Sequence, residues 1–352
     1  MSGKPLDIGG RTIGAATRPY LIAEMSGNHN QSLERALGLV DEAAGTGAHA
    51  IKLQTYTADT ITLDVREGEF NIDDGKSLWN GQNLYDLYKV AHTPWEWHEP
   101  IMQRARERGM LCFSSPFDET AVDFLESLAV PAFKIASAEI LHLPLIRKVA
   151  ATGKPMIIST GMATLAEIDE AVRAARGAGC RDLVLLKCTS NYPASPVDTN
   201  VLTIPHMREL FGCEIGLSDH TMGLGAAVAA VALGASVVEK HFTLRRADGG
   251  VDSAFSLEPE EMRALVIETE RAWQSLGQVS YGPTKAELKS LAYRRSLYIA
   301  ADMRAGEVLT PQNLRCVRPG LGLAPKHYET LLGHRVKVAA KKGTPMRWEL
   351  LE

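Results

Sequence analysis

The stretch CEIGLSDHTMGLGAAVAAVALGASVVEKHFT, residues 213–243, places two short apolar runs on either side of an Ala-rich segment. The runs CEIGLS (213–218) and VVEKHF (237–242) have the length and β-branched content of buried strands. The longest uncharged run, residues 223–238, is too short and too rich in Ala and Gly to span a bilayer, so it predicts a buried helix that leads into the second strand. The stretch therefore predicts a strand–helix–strand unit of an α/β protein.

Similar runs recur along the chain, and most are followed by a segment of helical periodicity. The predicted strands are YLIAE (20–24), AIKLQT (50–55), MLCFSS (110–115), AFKIAS (132–137), PMIIST (155–160), LVLLKCT (183–189), CEIGLS (213–218) and VVEKHF (237–242). The helical segments carry end signals, such as Gly45 and Gly47 after the first strand's helix and a capping box from Thr164 to Glu167. Eight strand-then-helix units over about 250 residues favour a (β/α)8 TIM barrel over an open doubly wound sheet.

The composition and residue pattern of the sequence change at two places, and these changes predict the domain organisation. Residues 56–97 are too long and polar for a simple connection, and we expect a lid or flank with its own short elements. From about Ala292 the chain turns to short alternating runs separated by Gly and Pro. We therefore expect a catalytic barrel over 1–279, a linker over 280–291 and a small β-rich domain over 292–352.

Composition excludes several classes of protein. The 38 Lys and Arg residues nearly balance the 42 Asp and Glu residues, and no basic block is present that would follow a nucleic-acid backbone. The 5 cysteines are scattered, which is typical of reduced thiols in a cytoplasmic protein. The first residues lack the apolar segment of a signal peptide, so we expect neither secretion nor a membrane partner.

Every predicted strand ends in polar side chains, several of them Lys, Glu or His inside an apolar run. In a parallel barrel the C-terminal ends of all strands meet at one rim, where the active sites of this architecture lie. The side chains at these ends are Glu24, Lys52, Gln54, Ser114, Ser115, Lys134, Ser137, Ser159, Thr160, Lys187, Thr189, Asn191, Ser218, Asp219, His220, Glu239 and His241. Surface loops are polar in any protein, but that does not explain Lys, Glu and His inside the apolar strands themselves. The pattern therefore indicates a functional site.

The run VVEKHF places an acid and an imidazole on one face of a strand. Side chains alternate along a strand, so Val237, Glu239 and His241 point together. His220, at the end of the neighbouring strand, brings a second imidazole, and the two rings suit a divalent ion with positions left for water and substrate. The alternative is a hydrogen-bonded structural group that serves packing only.

Lysines and hydroxyls at other strand ends predict an anion site. The residues are Lys52, Lys134, Ser137 and Ser159, with backbone N–H groups expected from the helix start near Thr164. A small substrate that carries phosphate or carboxylate is implied. Alternatively, one or both lysines pair with Glu24 or Glu239 in a buried salt bridge.

Two further hypotheses stay open on the residues alone. A desolvated lysine at a barrel rim, Lys134 or Lys187, can form a Schiff base with a carbonyl substrate without any metal. A non-catalytic sugar-binding or ice-binding protein built around the small domain is the other hypothesis, but it gives no reason for the ionisable groups within the strands.

Motifs over nearly the whole chain resemble the sialic acid synthase family. They include AEMSGNHNQSLERAL (23–37), IKLQTYTADTITLD (51–64), FKIASAEILHLPLI (133–146), GLSDHTMGLGAAVAA (216–230) and VVEKHFTLRRADGGVDSAFSLEPEEM (237–262). The segment from Tyr293 onward, YRRSLYIAADMRAGEVLTPQNLRCVRPGLGLAP, resembles the family's antifreeze-like (SAF) domain. The resemblance implies a metal-dependent condensation of phosphoenolpyruvate with an open-chain amino-sugar aldehyde, which releases phosphate and gives a nine-carbon 2-keto acid.

The resemblance also implies a role for each matching residue. His220 and His241 would hold the divalent metal, Mn or Mg, and Glu24 would lie beside the reacting carbons. The residues around phosphoenolpyruvate would be Lys52, Ser114, Lys134, Ser137, Ser159, Asn191 and Ser218. The residues facing the acetamido sugar would be Asn28, Tyr192, Glu239 and Arg318, with Arg318 supplied by the second subunit of a domain-swapped homodimer.

Two features bear on which sugar is used. Gln31 stands where sialate-forming members of the family usually have Gly, and the loop RRADGGVDSAFSLEP (245–259) resembles the pseudaminate branch. Both favour 2,4-diacetamido-2,4,6-trideoxy-L-altrose as the sugar. A legionaminic or N-acetylneuraminic acid synthase on the same scaffold is the alternative.

Overall fold

The computed structural model describes residues 5–75 and 77–352. The chain forms two compact units, one that ends at Gly277 and one that runs from Gln278 to Glu352. Across the described residues, none of the helices combines the length and the apolar character that crossing a membrane requires.

The first unit is a closed barrel of eight parallel strands, preceded by an antiparallel hairpin. The hairpin strands are β1 (Leu6–Ile8) and β2 (Arg11–Ile13). The barrel strands are β3 (Tyr20–Glu24), β4 (Ala50–Thr55), β5 (Leu111–Pro116), β6 (Phe133–Ile135), β7 (Met156–Ser159), β8 (Leu183–Cys188), β9 (Glu214–Asp219) and β10 (Val237–His241). Their order round the barrel follows the chain, and β10 closes it by pairing with β3. The predicted TIM barrel is confirmed.

Helices connect the strands and form an outer layer. They are α1 (Leu33–Thr46), α2 (Ala58–Ile61), α3 (Leu84–Ala91), α4 (His98–Glu107), α5 (Glu119–Ser127), α6 (Leu143–Ala151), α7 (Leu165–Gly177), α8 (Thr203–Phe211), α9 (Gly225–Ala232) and α10 (Pro259–Leu276). Helix α1 ends at Gly47 in the left-handed conformation, and α7 begins with the predicted Thr164–Glu167 capping box.

The N-terminal hairpin contributes to the core inside the barrel, a feature absent from the sequence predictions. Ile8 and Ile13 are at most 1% exposed. They pack with inward-facing residues of the barrel strands, among them Tyr20, Phe113 and Val237. Burying a side chain of this size contributes about 1.5–3 kcal/mol. The hairpin thus fills the end of the barrel at which the strands begin and leaves the opposite end for polar groups.

The segment over residues 56–97 has its own short elements, as expected. It contains α2, α3 and an isolated β-bridge between Asn71 and Asn83. The indole Nε1 of Trp79 donates a hydrogen bond to the carbonyl of Val251, which lies in the loop after β10. This contact fastens the segment to the rim at which the strands end.

The second unit is small and has a separate core. Its regular elements are β11 (Ser296–Ile299), β12 (Leu314–Val317) and α11 (Tyr328–Leu331), and β11 pairs with β12 antiparallel. Leu297, Leu314 and Val336 are fully buried within it. A 3-10 helix, Lys285–Tyr293, occupies much of the segment predicted to be a linker.

Candidate active site

The alternation of β10 directs its ionisable residues to two different faces, as predicted. Glu239 points into the barrel, where Ser218 Oγ donates to Glu239 Oε1 at 3.1 Å. Lys240 points to the helix layer, where its Nζ lies 2.7 Å from Asp219 Oδ2 and donates to the carbonyl of Thr221. The strand therefore separates an interior polar site from a structural salt bridge.

Four ionisable side chains of alternating charge occupy the centre of the barrel mouth, and none of these residues is more than 5% exposed. Lys52 Nζ lies 2.6 Å from Glu24 Oε2 and 4.0 Å from Glu239 Oε2. Lys134 Nζ lies 4.0 Å from Glu239 Oε1. The lysines thus come together as the anion-site hypothesis requires, and Lys52 also forms the buried salt bridge that was its alternative.

Hydroxyl groups surround this charged centre. Lys52 Nζ donates to Ser115 Oγ at 3.2 Å, and Lys134 Nζ donates to Ser159 Oγ at 2.6 Å. The hydroxyls of Ser115, Ser159 and Ser218 are thus each held by a hydrogen bond to a charged side chain. The arrangement can offer both cations and O–H donors to an oxyanion at one place.

Ser114 does not lie with this group. Its Oγ is 2.6 Å from Thr55 Oγ1, which is in turn 2.7 Å from His98 Nε2. Successive residues of a strand face opposite sides, so Ser114 faces the helix layer and Ser115 faces the lysines. The position predicted for Ser114 beside the anion is occupied by Ser115.

The turn after β7 also differs from the expectation. Gly161 N–H donates to Ser137 Oγ at 3.1 Å, and a Cβ at Gly161 would lie 2.2 Å from Ser190 Oγ, so the close approach requires glycine. At the start of α7 the N–H of Thr164 donates to Glu167 Oε2 at 2.6 Å. The N–H groups of Gly161 and Thr164 are therefore already bonded to side chains. The start of α7 was expected to offer free N–H groups to an anion, but there the carboxylate of Glu167 accepts the N–H of Thr164.

Lys187 is also separate from the other two lysines. It is half-buried, and its Nζ donates to the carbonyl of Cys188 at 2.9 Å and to Thr189 Oγ1. Its pKa is lowered by burial. Of the two lysines considered for Schiff-base chemistry, Lys134 is the one placed among the central charges.

The environment shifts the pKa values of the two central glutamates apart. Burial raises the pKa of Glu24 to about 7, although the charge of Lys52 opposes the shift. Burial acts on Glu239 in the same direction, but the charges of Lys134 and Lys52 outweigh it and hold the pKa of Glu239 below its ordinary value. A carboxyl that titrates near neutral pH beside one that stays ionised is typical of acid–base sites.

The two predicted imidazoles face each other, with ring centroids 5.3 Å apart. His220 Nδ1 lies 2.9 Å from the carbonyl of Thr189, which can only accept, so Nδ1 carries a proton and Nε2 is the nitrogen left for a metal. Burial opposes the charged form of this ring, but Cys188 and the carbonyl of Thr189 outweigh it and raise the pKa of His220, so a metal at Nε2 would displace a proton. His241 Nδ1 is buried, forms no hydrogen bond with any described residue, and lies 3.8 Å from Asp252 Oδ2. Burial and the neighbouring His220 hold the pKa of His241 well below its ordinary value, so its ring is neutral.

This pair of rings fits a metal that takes two ligands from the protein. Over residues 5–75 and 77–352, no group of three or more His, Cys, Asp or Glu side chains is arranged to hold an ion. Neutral imidazoles are the form that binds metals, and the unpaired nitrogen of His241 is a buried polar atom with no other role among the described residues. The remaining coordination positions would belong to water and substrate.

Of the residues expected to face a sugar, Tyr192 lies beside the imidazoles, Asn28 contacts the residue after β10, and Arg318 belongs to the second unit. The Tyr192 ring is 4.4 Å from the His220 ring, and the exposed Asn191 accepts the N–H of Tyr192. Asn28 Nδ2 donates to the carbonyl of Phe242 and to Ser256, while its buried Oδ1 has no hydrogen bond with a described residue. Arg318 follows β12 in the second unit and is exposed.

Two carboxylates at the site were missing from the predictions. Burial raises the pKa of Glu139 to about 7, with Lys134 and Lys52 near enough to lower it in part. Asp252 accepts a hydrogen bond from Ser26, 226 positions away in the sequence. Glu139 could have been found from its position just after Ser137 at the end of β6, whereas Asp252 lies within a long loop and carries no such signal.

The fold and the site define a (β/α)8-barrel enzyme with its ionisable centre at the C-terminal ends of the strands. The family follows from comparison with known proteins. Residues 39–281 match the NeuB family and residues 294–352 match the SAF domain. The chain belongs to the NeuB family.

Known relatives cover nearly the full length. The pseudaminic acid synthase of Campylobacter jejuni is 42% identical over 93% of this chain and 95% of its own length. The pseudaminic acid synthase of Helicobacter pylori is 40% identical over 95% of this chain and 98% of its own. Among solved structures, the N-acetylneuraminic acid synthetase of Leptospira borgpetersenii in complex with citrate superposes with a TM-score of 0.72 at 31% identity, over 83% of this chain and 97% of that chain.

Proposed function

We propose that this protein is a pseudaminic acid synthase, which condenses phosphoenolpyruvate with 2,4-diacetamido-2,4,6-trideoxy-L-altrose to give pseudaminic acid and phosphate. The observation that carries the proposal is the buried centre of Glu24, Lys52, Glu239 and Lys134 beside the imidazoles of His220 and His241. Identities of 42% and 40% to two pseudaminic acid synthases support the choice of sugar. Legionaminic and N-acetylneuraminic acid synthesis are the alternatives on this scaffold.

Phosphoenolpyruvate carries a phosphate and a carboxylate, and both need cations and hydrogen-bond donors. Lys52 and Lys134 supply the cations and donate to Ser115 and Ser159, while Ser218 lies on the neighbouring Glu239. The proposed binding residues are Lys52, Ser115, Lys134, Ser137, Ser159, Asn191 and Ser218. Because charge-assisted hydrogen bonds are about twice as strong as neutral ones, the lysine–serine pairs would dominate the affinity.

Glu24 is proposed as the group that orients and deprotonates water. In the reaction a bond forms between the enol carbon C3 and the aldehyde carbon, water adds at C2, and the phosphate leaves as C2 becomes a ketone. With its pKa near 7, Glu24 can accept the proton of the water at neutral pH. Gln54 Nε2 donates to Glu24 Oε1 at 3.0 Å and would hold the carboxylate in place.

The imidazoles of His220 and His241 are proposed to hold a divalent metal, Mn or Mg. When bound, such an ion acts as a Lewis acid that polarises the aldehyde oxygen. The chain itself prepares the ligands: the carbonyl of Thr189 fixes the tautomer of His220, and burial keeps His241 neutral.

The sugar would be held by Asn28, Tyr192, Glu239 and the partner's copy of Arg318, in a domain-swapped homodimer. Exposed apolar side chains on the loops after β6 to β9 support a second copy covering this part of the rim. They are Leu141, Met162, Val197, Leu202 and Met222. We divide the chain into a catalytic domain (1–279), a linker (280–291) and a SAF domain (292–352), and the five free cysteines support a cytoplasmic location.

The direct test is to incubate the purified protein and phosphoenolpyruvate with three candidate sugars, with Mn²⁺ or Mg²⁺ added. The candidates are 2,4-diacetamido-2,4,6-trideoxy-L-altrose and the precursors of legionaminic and N-acetylneuraminic acid. Mass spectrometry identifies the product. The proposal predicts pseudaminic acid, phosphate release in equal amount, and loss of turnover in excess EDTA. Preferred conversion of another sugar would overturn the choice of substrate, and full turnover in EDTA would overturn the metal site.

One observation favours a second candidate, a metal-free Schiff-base aldolase. Burial lowers the pKa of Lys134, which is the change that activates a lysine for imine formation. Borohydride reduction in the presence of pyruvate, whose ketone can condense with the amine and release water, would then leave a covalent adduct on Lys134. The synthase predicts that the protein keeps its mass under the same treatment.

A further inference from the structure

A cavity lies against the loop that follows β10. It has a volume of about 550 Å³, within the usual range for small-ligand pockets. Three segments form it: the turn after β3, the inserted segment and the loop after β10. Its walls are largely apolar and include Leu78, Trp79, Leu87, Val90, Val251 and Ala254.

Three of the polar side chains around this cavity donate to backbone carbonyls, and a fourth, Gln82, is exposed. Gln31 Nε2 donates to the carbonyls of Val90 and His92, both at 2.8 Å. Asn30 Nδ2 donates to the carbonyl of Gly249, and Trp79 Nε1 donates to that of Val251. None of the described residues that line the cavity is charged, so it does not suit a phosphate or a carboxylate.

The loop after β10 joins the cavity to the imidazoles. Asp252 Oδ2 lies 3.8 Å from His241 Nδ1, and the ring centroid of Phe255 lies 4.9 Å from that of His241. Their neighbours in the sequence, Val251 and Ala254, line the cavity. One short turn therefore has the imidazole site on one side and the apolar cavity on the other.

An aromatic contact makes the same connection from the inserted segment. The Trp79 ring, which lines the cavity, lies 5.8 Å from the Tyr192 ring. Tyr192 in turn lies 4.4 Å from His220. A chain of six carbons with its aldehyde at the imidazoles would pass Tyr192 and present its far end to Trp79.

We infer that this cavity binds the end of the sugar remote from the aldehyde, including a C6 methyl group, and selects 6-deoxy sugars over their 6-hydroxy counterparts. The inference rests on the proposed synthase function and adds the residues that would determine specificity. A C6 hydroxyl placed against Leu87, Val90 and Ala254 would lose its hydrogen bonds to water without replacement. Apolar pockets of this kind discriminate against an added hydroxyl by about 100-fold at most.

The first experiment compares 2,4-diacetamido-2,4,6-trideoxy-L-altrose with the same sugar bearing a hydroxyl at C6, so that the two substrates differ only at C6. With phosphoenolpyruvate saturating, kcat/KM of the unmodified protein should be about 10–100-fold higher for the 6-deoxy sugar. Equal values for the two sugars would overturn the inference, whereas no product from either of them would overturn the proposed function.

The second experiment fills the cavity by Ala254→Leu, at an exposed residue whose enlargement leaves the core unchanged. We expect KM for the diacetamido sugar to rise about 10-fold or more through steric conflict, and KM for phosphoenolpyruvate to stay the same. Ala166→Leu, the same change at an exposed position on α7, is the matched control and should leave both values unchanged. Unchanged sugar KM in a folded Ala254→Leu protein would place the sugar elsewhere.

Discussion

Glu24 Oε2 lies 2.6 Å from Lys52 Nζ in the interior of the barrel, and both side chains are at most 4% exposed. A single pair of this kind would be expected to keep the glutamate ionised. Burial and the second carboxylate, Glu239, act against this, and the pKa of Glu24 rises to about 7. Glu24 is therefore ionised or neutral depending on pH in the range where the enzyme would work. Lys52 keeps its charge there, because burial is outweighed by the charges of Glu239 and Glu24, which raise the pKa of Lys52.

Glu24 predicts a specific pH dependence. The groups that face it are Lys52, Lys134, Glu239 and Gln54. If its carboxylate is the base, kcat/KM falls as pH drops below about 7, because protonation removes the base. Gln54→Met removes a hydrogen bond that stabilises the ionised form, which raises the pKa of Glu24 and moves the acidic limb to higher pH by about one unit. An identical limb in both proteins would exclude Glu24 as its origin.

The two adjacent serines of β5 are expected to behave differently. Ser115→Ala removes the hydroxyl at Lys52 and should raise KM for phosphoenolpyruvate about 10-fold, since a hydrogen bond to a charged group contributes about 1.5–3 kcal/mol. Ser114→Ala leaves Thr55 without one of its partners and should instead lower the free energy of unfolding by about 1–3 kcal/mol. Steady-state kinetics and urea unfolding of both variants decide the matter, and the reverse pattern would contradict the assignment.

His241→Ala should abolish divalent metal binding and turnover while the barrel stays folded. The ring contributes one of two proposed ligands, and its removal leaves only His220. Titration with Mn²⁺ by calorimetry measures binding without relying on activity, and far-UV circular dichroism checks the fold. His206→Ala, at an exposed histidine of α8, is the matched control and should bind the ion as the unmodified protein does. If the His241→Ala protein still bound Mn²⁺ as tightly as the unmodified protein, the assignment of His241 as a metal ligand would be wrong.

Arg318 predicts complementation between two inactive variants. Arg318→Ala and His241→Ala should each lose most activity alone. If the arginine acts in the partner's barrel, an equal mixture that is unfolded and refolded together should regain about a quarter of the normal rate, because half of the dimers are mixed and each has one complete site. A mixture as inactive as its components would show that the arginine acts within its own chain or not at all.

Local sequence patterns determined much of the barrel. Strands β3 and β4 begin and end where their apolar runs do, and the capping box of α7 forms as Thr164 and Glu167 predict. The face of each residue on β10 also follows from alternation alone, since the side-chain period of a strand is fixed by backbone geometry. The same rule separates Ser114 from Ser115, so alternation along β5 places Ser115 on the face of the lysines and Ser114 on the opposite face.

The sequence by itself determined the order of the strands, the inward direction of Glu239 and His241, and membership of a family of barrel enzymes, because these depend on short-range periodicity and on motifs. Only the tertiary structure decided which polar groups meet. The contacts of Glu24 with Lys52, of Ser26 with Asp252 and of Trp79 with Val251 join positions far apart in the chain. They depend on barrel closure, on register and on the path of long loops, and no local pattern of residues encodes these distances.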